Sequence, residues 1–175
     1  FKTMIIAFTG FMGVGKSTIA ERLSKTLLCK YIDLDKYIEE KSGLSIAEIF
    51  ENLGEDYFRK LEGESLEEVI ANNTGKYTVL SLGGGALISS QNQKVVKETT
   101  FCIYLRGNSA TLTDRLIKAK KSRPHIKEKS GEDLEKEISR LFSVREQGYK
   151  YSATLIIDVD GKSIREIVEE IIEQI

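Results

Sequence analysis

The sequence predicts an α/β protein, a three-layer α/β/α sandwich in which a five-stranded parallel sheet lies between two layers of helices. Five short apolar runs alternate with stretches of helical periodicity, the pattern of parallel strands joined by crossover helices. A glycine-rich segment also stands between the first apolar run and the first helical stretch. The length of 175 residues favours a single domain over 1–175.

The predicted strands are mostly continuous apolar runs rather than alternating ones, which is typical of strands covered on both faces. In chain order they are "TMIIAF", "YIDLD", "YTVLSL", "TFCIYL" and "TLIIDV". The second is the shortest and carries two carboxylates. In a parallel sheet of this kind, ligands bind at the edge formed by the carboxyl ends of the strands.

Helices are predicted where apolar residues recur every three or four positions, or where a capping pattern opens a segment. The first is "KSTIAERLSKTLL", and a short one covers 36–42. Ser45 opens a capping box before the next helix, and a third helical stretch covers roughly 55–72. "SATLTDRLIKA" and "EDLEKEISRLFSVREQGYKY" are helical, and Ser163 caps the last helix, whose apolar stripe is a core face.

Composition and charge exclude several classes of function. The chain has 26 basic and 27 acidic side chains, so no overall field favours nucleic acid or an anionic membrane surface. No apolar run approaches the ~20 residues of a membrane span, and the opening "FKTMIIAFTG" has too short an apolar core for a signal peptide. Cys29 and Cys102 lack CxxC spacing and His125 is the only histidine, so we expect no metal cluster or disulfide and a cytoplasmic location.

The glycine-rich segment "GFMGVGKST" is a Walker A pattern, Gly10 followed after four residues by Gly15, Lys16 and Ser17. In this pattern backbone N–H groups surround the β-phosphate, the lysine reaches the β and γ oxygens, and the serine hydroxyl binds Mg²⁺. The candidate ATP-binding residues of the loop are Gly13, Val14, Gly15, Lys16, Ser17 and Thr18. The pattern predicts a nucleoside triphosphate site and leaves open whether water, a protein or a small alcohol accepts the phosphoryl group.

The second predicted strand brings two carboxylates to the same edge. Asp33 and Asp35 are two apart, so in a strand their side chains point to the same side. One carboxylate close to the phosphate loop can hold Mg²⁺ through water, and the other can accept a hydrogen bond from an acceptor hydroxyl. The alternative is that Asp35 only caps the following helix.

Four arginines are candidates for binding anions. Arg59 lies three residues before Glu62 on one helical face, a spacing that also fits a surface ion pair, and neither Arg115 nor Arg145 stands out alone. Arg123 precedes Pro124 in a segment, 118–129, with six basic residues and one acid. We expect a mobile lid at about 118–131 that brings Arg123 to the phosphates, a solvated basic loop being the alternative.

Taken together, the motifs "GFMGVGKST", "IDLD", "FRKLE", "SLGGGA", "SRP" and "REQGYKYSA" follow the order and approximate spacing of shikimate kinases. The chain resembles these enzymes, which are P-loop enzymes related to the nucleoside monophosphate kinases, from Ile6 to the last helix. The resemblance implies ATP-dependent phosphorylation of shikimate to shikimate 3-phosphate, with Mg²⁺, by an enzyme that binds small molecules and that we expect to be a monomer.

On the acceptor side, the resemblance implies that Arg59 and Arg145 clamp the shikimate carboxylate, and a planar guanidinium suits that bidentate contact. It makes Asp35 the hydrogen-bond acceptor and candidate base for the ring hydroxyls, within an acceptor-binding helical region at about 35–72. The glycine triplet Gly83, Gly84 and Gly85 then ends the third strand between the phosphate loop and the acceptor pocket. Gly84 would offer its backbone N–H to substrate, the alternative being an ordinary tight turn.

On the nucleotide side, the resemblance implies that Asp33 orients the Mg²⁺ shell with Ser17. "TVLSL" has no acidic residue at its end, where a Walker B carboxylate usually stands, so the metal role falls to Asp33. Arg123 matches a lid arginine that reaches the phosphates, and the candidate catalytic residues are Lys16, Asp35 and Arg123. Arg115 matches an arginine near adenine, with the loop around Lys162 on the other side of the base.

Two other functions compete with this interpretation. A gluconate kinase-like enzyme has the same architecture and also phosphorylates a hydroxylated acid, but the glycine triplet and the pairing of Arg59 with Arg145 argue against it. A nucleotide-binding regulatory switch needs no small acceptor. The N/T-K-x-D motif with which GTPases read guanine is absent from the sequence, so a switch of that kind is disfavoured.

Overall fold

The computed structural model describes residues 3–11, 13–108 and 131–175. Within these residues, five parallel strands form one sheet in the order β2-β3-β1-β4-β5. The strands are β1 (Met4–Thr9), β2 (Lys30–Asp33), β3 (Tyr77–Ser81), β4 (Phe101–Arg106) and β5 (Leu155–Asp158). The predicted fold class and all five strands are confirmed, each strand to within two residues at either end.

Helices cover both faces of the sheet. The described helices are α1 (Lys16–Leu27), α2 (Leu34–Ser42), α3 (Ile46–Leu53), α4 (Glu55–Ala71), α5 (Ser90–Thr99), α6 (Gly131–Ser152) and α7 (Ile164–Gln174), with a 3₁₀ turn at Ala86–Ile88. Helix α1 packs against α7, while α4, α5 and α6 pack in succession in the other layer. Ser45 and Ser163 form the predicted capping boxes, each side chain accepting from the backbone N–H three residues on.

The central strand β1 shows why the strand sequences are continuous apolar runs. Ile6, Ala7 and Phe8 have no exposed surface, because helices cover the sheet on both sides. On α7, Ile167, Val168 and Ile171 are buried, as the predicted core stripe requires. None of the described helices is both long enough and apolar enough to cross a bilayer.

One expectation about local structure is wrong, and one helix was missed. Strand β2 ends at Asp33, whose side chain accepts a hydrogen bond from the Lys36 N–H and caps α2, so Asp35 lies in the first turn of a helix and not in a strand. Asp35 is therefore not the capping residue either. Helix α5 was not predicted, because Val95 and Val96 are its only apolar residues and no periodic stripe marks it.

Some predicted features lie outside the described residues. They are the helix "SATLTDRLIKA" with Arg115, and the lid at about 118–131 with Arg123. The last residue of the predicted lid, Gly131, is described and begins α6.

The register of the sheet brings distant parts of the chain to one edge. Ser81, the last residue of β3, lies opposite Phe8 of β1 on one side and opposite Asp33 of β2 on the other. The segments that follow these three strands therefore start side by side. They are the glycine loop, the first turn of α2 and the glycine triplet.

Candidate active site

The phosphate loop joins β1 to α1 and needs glycine for conformational and steric reasons. Gly13 and Gly15 have φ angles of 84° and 95°, in the left-handed region that favours glycine. A Cβ atom on Gly10 would lie 2.5 Å from the Leu105 carbonyl oxygen of β4. Gly15 is the N-cap of α1 and provides no side-chain cap, so the positive end of the helix dipole faces the loop.

The Lys16 side chain lies back across this loop. Its ammonium donates to the carbonyl oxygen of Gly10 at 2.7 Å and to that of Phe11 at 3.3 Å. Ser17 and Thr18, which follow in the first turn of α1, are exposed. The loop therefore combines a cation, a helix N-terminus and exposed hydroxyls within a few residues, the groups that bind an anionic phosphate.

Asp35 lies between the phosphate loop and helix α4. Its Oδ1 is buried and has no hydrogen-bond partner among the described residues. Burial raises the pKa of Asp35, as does the nearby Asp33 carboxylate, whereas the charges of Lys16 and Arg59 oppose that shift. A carboxylate with an unfilled acceptor position thus lies within electrostatic range of both the phosphate loop and the Arg59 guanidinium.

The Arg59 guanidinium is held in place on several sides. Its Nη1 donates to Glu62 Oε1 at 2.9 Å, and its Nη2 lies 3.7 Å from Glu55 Oε1. The rings of Phe58 and Phe50 are 5.1 Å and 6.0 Å from the guanidinium carbon, within cation–π range. Its Nε is buried, with no hydrogen-bond partner in the part of the chain that the structure describes. The side chain is therefore fixed in orientation while part of its donor capacity stays unused.

The spacing of Arg59 and Glu62 also fitted a surface ion pair. That alternative is wrong, because only 1% of the Glu62 surface is exposed. Burial raises its pKa to about 7, although the charge of Arg59 and the hydrogen bond from it favour the ionised form. Within residues 3–11, 13–108 and 131–175, Glu62 Oε2 has no hydrogen-bond partner. Glu62 thus holds Arg59 from inside the protein and titrates near neutral pH.

Arg145 reaches the same region from α6 and is only 7% exposed. Burial lowers its pKa, and the positive charge of Arg59 lowers it further. Among the described carboxylates, none is within ion-pairing distance of its guanidinium. An anion bound between two guanidiniums at a largely buried site would be strongly stabilised, because it would offset their mutual repulsion.

The glycine triplet lies against both acceptor-side charges. A Cβ atom on Gly85 would be 2.5 Å from Arg59 Nη2, and one on Gly83 would be 3.1 Å from Asp35 Oδ1. Positive φ angles occur at none of the three. The triplet is therefore required for space and not for an unusual backbone conformation.

A cavity of about 210 Å³ lies between the phosphate loop and the start of α7. Val14 and Thr18 of the loop segment line it, together with Ile164 of α7 and Lys162, whose ammonium pairs with Glu170 Oε2 at 2.9 Å. A cavity beside a phosphate site that combines aliphatic side chains with a few polar groups is suited to a nucleobase. Three residues outside the loop were predicted to contact the nucleotide. Arg115 and Arg123 lie outside the described residues, and Lys162 lines this cavity.

The structure thus brings the described candidates to one edge of the sheet, while Arg115 and Arg123 lie outside the described residues. A glycine loop between the central parallel strand and a helix, with lysine and serine at its end, defines a P-loop protein. The adjoining pocket holds two arginines and a partly buried carboxylate. In a P-loop protein such a pocket suits a small anionic molecule, so the fold and site define the class as a P-loop kinase of small molecules.

Comparison with known proteins identifies the family. The shikimate kinase family model matches residues 12–175. The shikimate kinase of Thermus thermophilus is 36% identical over 170 residues, covering 97% of this chain and 89% of that protein. That of Chlorobium phaeobacteroides is 40% identical over 176 residues, covering 98% and 90%. The chain belongs to the shikimate kinase family.

Solved structures agree with this assignment. The shikimate kinase of Bacteroides thetaiotaomicron has a TM-score of 0.89 at 31% identity, covering 98% of this chain and 97% of that one. The shikimate kinase of Acinetobacter baumannii, solved in complex with shikimate, has a TM-score of 0.88 at 28% identity, covering 99% and 93%. The resemblance drawn from the six motifs is confirmed.

Sequence reasoning missed two features of the site. It did not predict that Glu62 is buried, since an i, i+3 spacing does not tell which face of the helix is covered. It also gave no role to Tyr149, although Tyr149 lies four residues after Arg145 and therefore on the same side of a helix. That spacing was the available signal.

Glu62→Gln tests the buried carboxylate through the pH dependence of stability. A folded-state pKa of about 7, against an ordinary 4.5, means that the folded protein holds a proton that the unfolded chain has lost. The group therefore stabilises the fold less as the pH rises from 4.5 to 7, by about 3 kcal/mol in total. Because glutamine does not titrate, the free energy of unfolding of Glu62→Gln relative to wild type should increase by that amount, measured by urea denaturation.

The control is Glu64→Gln, which removes an exposed carboxylate two residues further along the same helix. Its free energy of unfolding relative to wild type should change little over the same pH range. A pH-independent difference between wild type and Glu62→Gln would contradict the assigned burial effect.

Proposed function

We propose that this chain transfers the γ-phosphoryl group of ATP to a hydroxyl of shikimate, giving shikimate 3-phosphate and ADP. The observation that carries the proposal is the meeting of Arg59, Arg145 and Asp35 beside the phosphate loop. Membership of the shikimate kinase family supports it. So does the Acinetobacter baumannii relative, whose structure was solved with shikimate bound.

The two arginines account for recognition of an acid. Each guanidinium can donate two parallel hydrogen bonds to a carboxylate, and both have unused donor capacity. Among the described residues, the buried Nε of Arg59 has no hydrogen-bond partner, and Arg145 forms no ion pair with a carboxylate. A substrate carboxylate between them would offset their mutual repulsion.

Asp35 has the properties of a general base for the attacking hydroxyl. Its Oδ1 lacks a hydrogen-bond partner among the described residues. Burial and the Asp33 charge raise its pKa, which makes the carboxylate a stronger base. It would take the proton of the acceptor hydroxyl as that oxygen bonds to the γ-phosphorus and the bond from phosphorus to the ADP oxygen breaks. Lys16 would exchange its two carbonyl contacts for phosphate oxygens and stabilise the developing charge.

Ser17 and Asp33 would hold Mg²⁺ together with the nucleotide. A hydroxyl and a carboxylate are hard oxygen donors, and Mg²⁺ usually binds one or two protein ligands plus phosphates and water. The Tyr31 hydroxyl interacts with Ser17 and with the charge of Asp33, so both donors lie near the same side chain. When bound, the ion would neutralise charge on the transferring phosphate.

The remaining roles are proposals that rest on the resemblance and on position. Lys162 lines the cavity beside the phosphate loop, where the adenine would bind. Arg115 would lie on the other side of the base, and Arg123 of the lid would reach the phosphates. The region at about 35–72 would bind the acceptor. We further expect a monomer, and a cytoplasmic location because Cys29 and Cys102 are free thiols.

The proposed activity is tested by ADP release with shikimate and with gluconate as acceptors. Turnover should require shikimate. The two arginines and Asp35 must contact the carboxylate and the reacting hydroxyl of the same molecule at once, so the distance between these groups in the acceptor matters. Turnover with gluconate alone would favour the gluconate kinase-like alternative. Calorimetry distinguishes the regulatory switch, which would bind GTP in preference to ATP and would ignore shikimate.

Asp35→Asn removes the proposed base while keeping the side-chain shape. The kcat with shikimate should fall by about 10²- to 10⁴-fold, the usual contribution of general base catalysis. The KM for ATP should change little, because Asp35 is not part of the phosphate loop. A kcat within threefold of wild type would show that proton transfer does not depend on Asp35.

Gly85→Ala tests the space that the triplet leaves for Arg59. The added Cβ would lie 2.5 Å and 2.8 Å from the two terminal nitrogens of Arg59, so the guanidinium must move. The KM for shikimate should rise by about tenfold or more while the KM for ATP stays constant. Gly75→Ala, in the loop before β3 at the opposite edge of the sheet, is the control; equal effects of the two substitutions would argue against the close approach.

A further inference from the structure

Tyr149 contacts both the glycine triplet and Arg145 in the proposed acceptor site. It is a residue of α6, only 1% exposed, and its hydroxyl donates to the carbonyl oxygen of Gly84, the middle residue of the triplet. Burial raises the pKa of Tyr149, and the Arg145 guanidinium beside its hydroxyl opposes that shift. One phenol hydroxyl therefore faces both the triplet backbone and the second arginine.

The carbonyl oxygens of Gly83 and Gly85 accept hydrogen bonds from backbone N–H groups in the turn that follows the triplet. The Gly84 carbonyl is held instead from outside that turn, by the Tyr149 hydroxyl. Three consecutive glycines have no side chains to pack and the largest backbone freedom to lose on folding. The peptide between Gly84 and Gly85 is trans, so its carbonyl and N–H groups point in opposite directions. A hydrogen bond that fixes the Gly84 carbonyl toward α6 therefore also fixes the Gly85 N–H on the side away from α6.

A second contact docks α6 on the same segment. Gly148 approaches the residues after the triplet so closely that a Cβ on it would lie 2.4 Å from the Leu87 carbonyl oxygen. It would also lie 2.9 Å from Gln93 Nε2, which donates to that carbonyl. Gly148 and Tyr149 are adjacent in sequence, and Arg145 lies one helical turn before them. The position of Arg145 relative to the triplet is thus set by this docking.

We propose that Tyr149 is a positioning residue for the acceptor: its hydroxyl fixes the triplet backbone and the Arg145 guanidinium relative to each other. The proposal rests on the proposed function, since it assigns Tyr149 to the acceptor pocket of that reaction. Binding geometry of this kind must hold to about half an ångström, and a buried ring on a helix provides that precision. Tyr149 itself would not contact the transferred group.

Tyr104 provides a matched control within the same pair of rings. Its ring centroid is 5.2 Å from that of Tyr149, and it has no exposed surface. Its hydroxyl donates to Glu146 Oε2 at 2.8 Å and not to the triplet. Tyr104→Phe and Tyr149→Phe therefore each remove one hydrogen-bonded hydroxyl from a buried tyrosine, and only the second removes a contact with the acceptor site.

The test compares the two variants by steady-state kinetics and thermal denaturation. Tyr149→Phe should raise the KM for shikimate about five- to tenfold, the effect of losing one buried hydrogen bond, while the KM for ATP stays within twofold of wild type. Tyr104→Phe should lower the melting temperature to a similar degree and leave both KM values within twofold. Equal shikimate KM values in the two variants, or a rise in both substrates' KM with Tyr149→Phe, would overturn the proposal.

Gly148→Ala provides a second variant if Tyr149→Phe does not fold. Its added Cβ would force α6 away from the Leu87 carbonyl, so the KM for shikimate should rise selectively, and an unchanged value would overturn the proposal. Wild-type turnover separates this inference from the proposed function. If wild type does not phosphorylate shikimate, the function fails; if it does and the variants behave as Tyr104→Phe does, only the role of Tyr149 fails.

Discussion

The site depends on two guanidinium groups held near each other at a largely buried position. Burying one charge is costly and burying two like charges is more so, unless neighbouring groups compensate. Here Arg59 is supported by Glu62 and by two phenylalanine rings, and Arg145 by the hydroxyl of Tyr149. That support fixes the arginines without neutralising them fully. In the proposed function, the remaining positive charge would select an anionic acceptor.

The parallel sheet makes this arrangement possible. Asp35, Arg59, the triplet and Arg145 are spread over more than a hundred residues of sequence. Asp35 and the triplet closely follow strands of the sheet, Arg145 lies on α6, which packs against β4, and Arg59 lies on α4, which packs against α2. The register that sets Ser81 opposite both Phe8 and Asp33 brings the phosphate loop and the acceptor pocket together. Glycine at position 85 then lets the backbone approach Arg59 closely enough to close the pocket.

The sequence predicted best what is encoded locally. The phosphate loop is a short contiguous pattern whose geometry follows from its glycines, and the strands are apolar because helices cover both faces of the sheet. Asp35 was assigned to a strand because a two-residue spacing suits one, whereas the capping hydrogen bond of Asp33 ends the strand two residues earlier. The burial of Glu62 and the contact of Tyr149 with Gly84 depend on how α4 and α6 pack, and sequence spacing does not specify that packing.

The most direct test of the central claim compares shikimate with its uncharged carboxamide as acceptors. The two molecules differ in the group that Arg59 and Arg145 would bind. In wild type, kcat/KM should favour the acid by about a hundredfold, the value of charge-assisted hydrogen bonds to a carboxylate. In Arg59→Gln this preference should fall to about tenfold or less. An undiminished preference for the acid in the variant would contradict the carboxylate clamp.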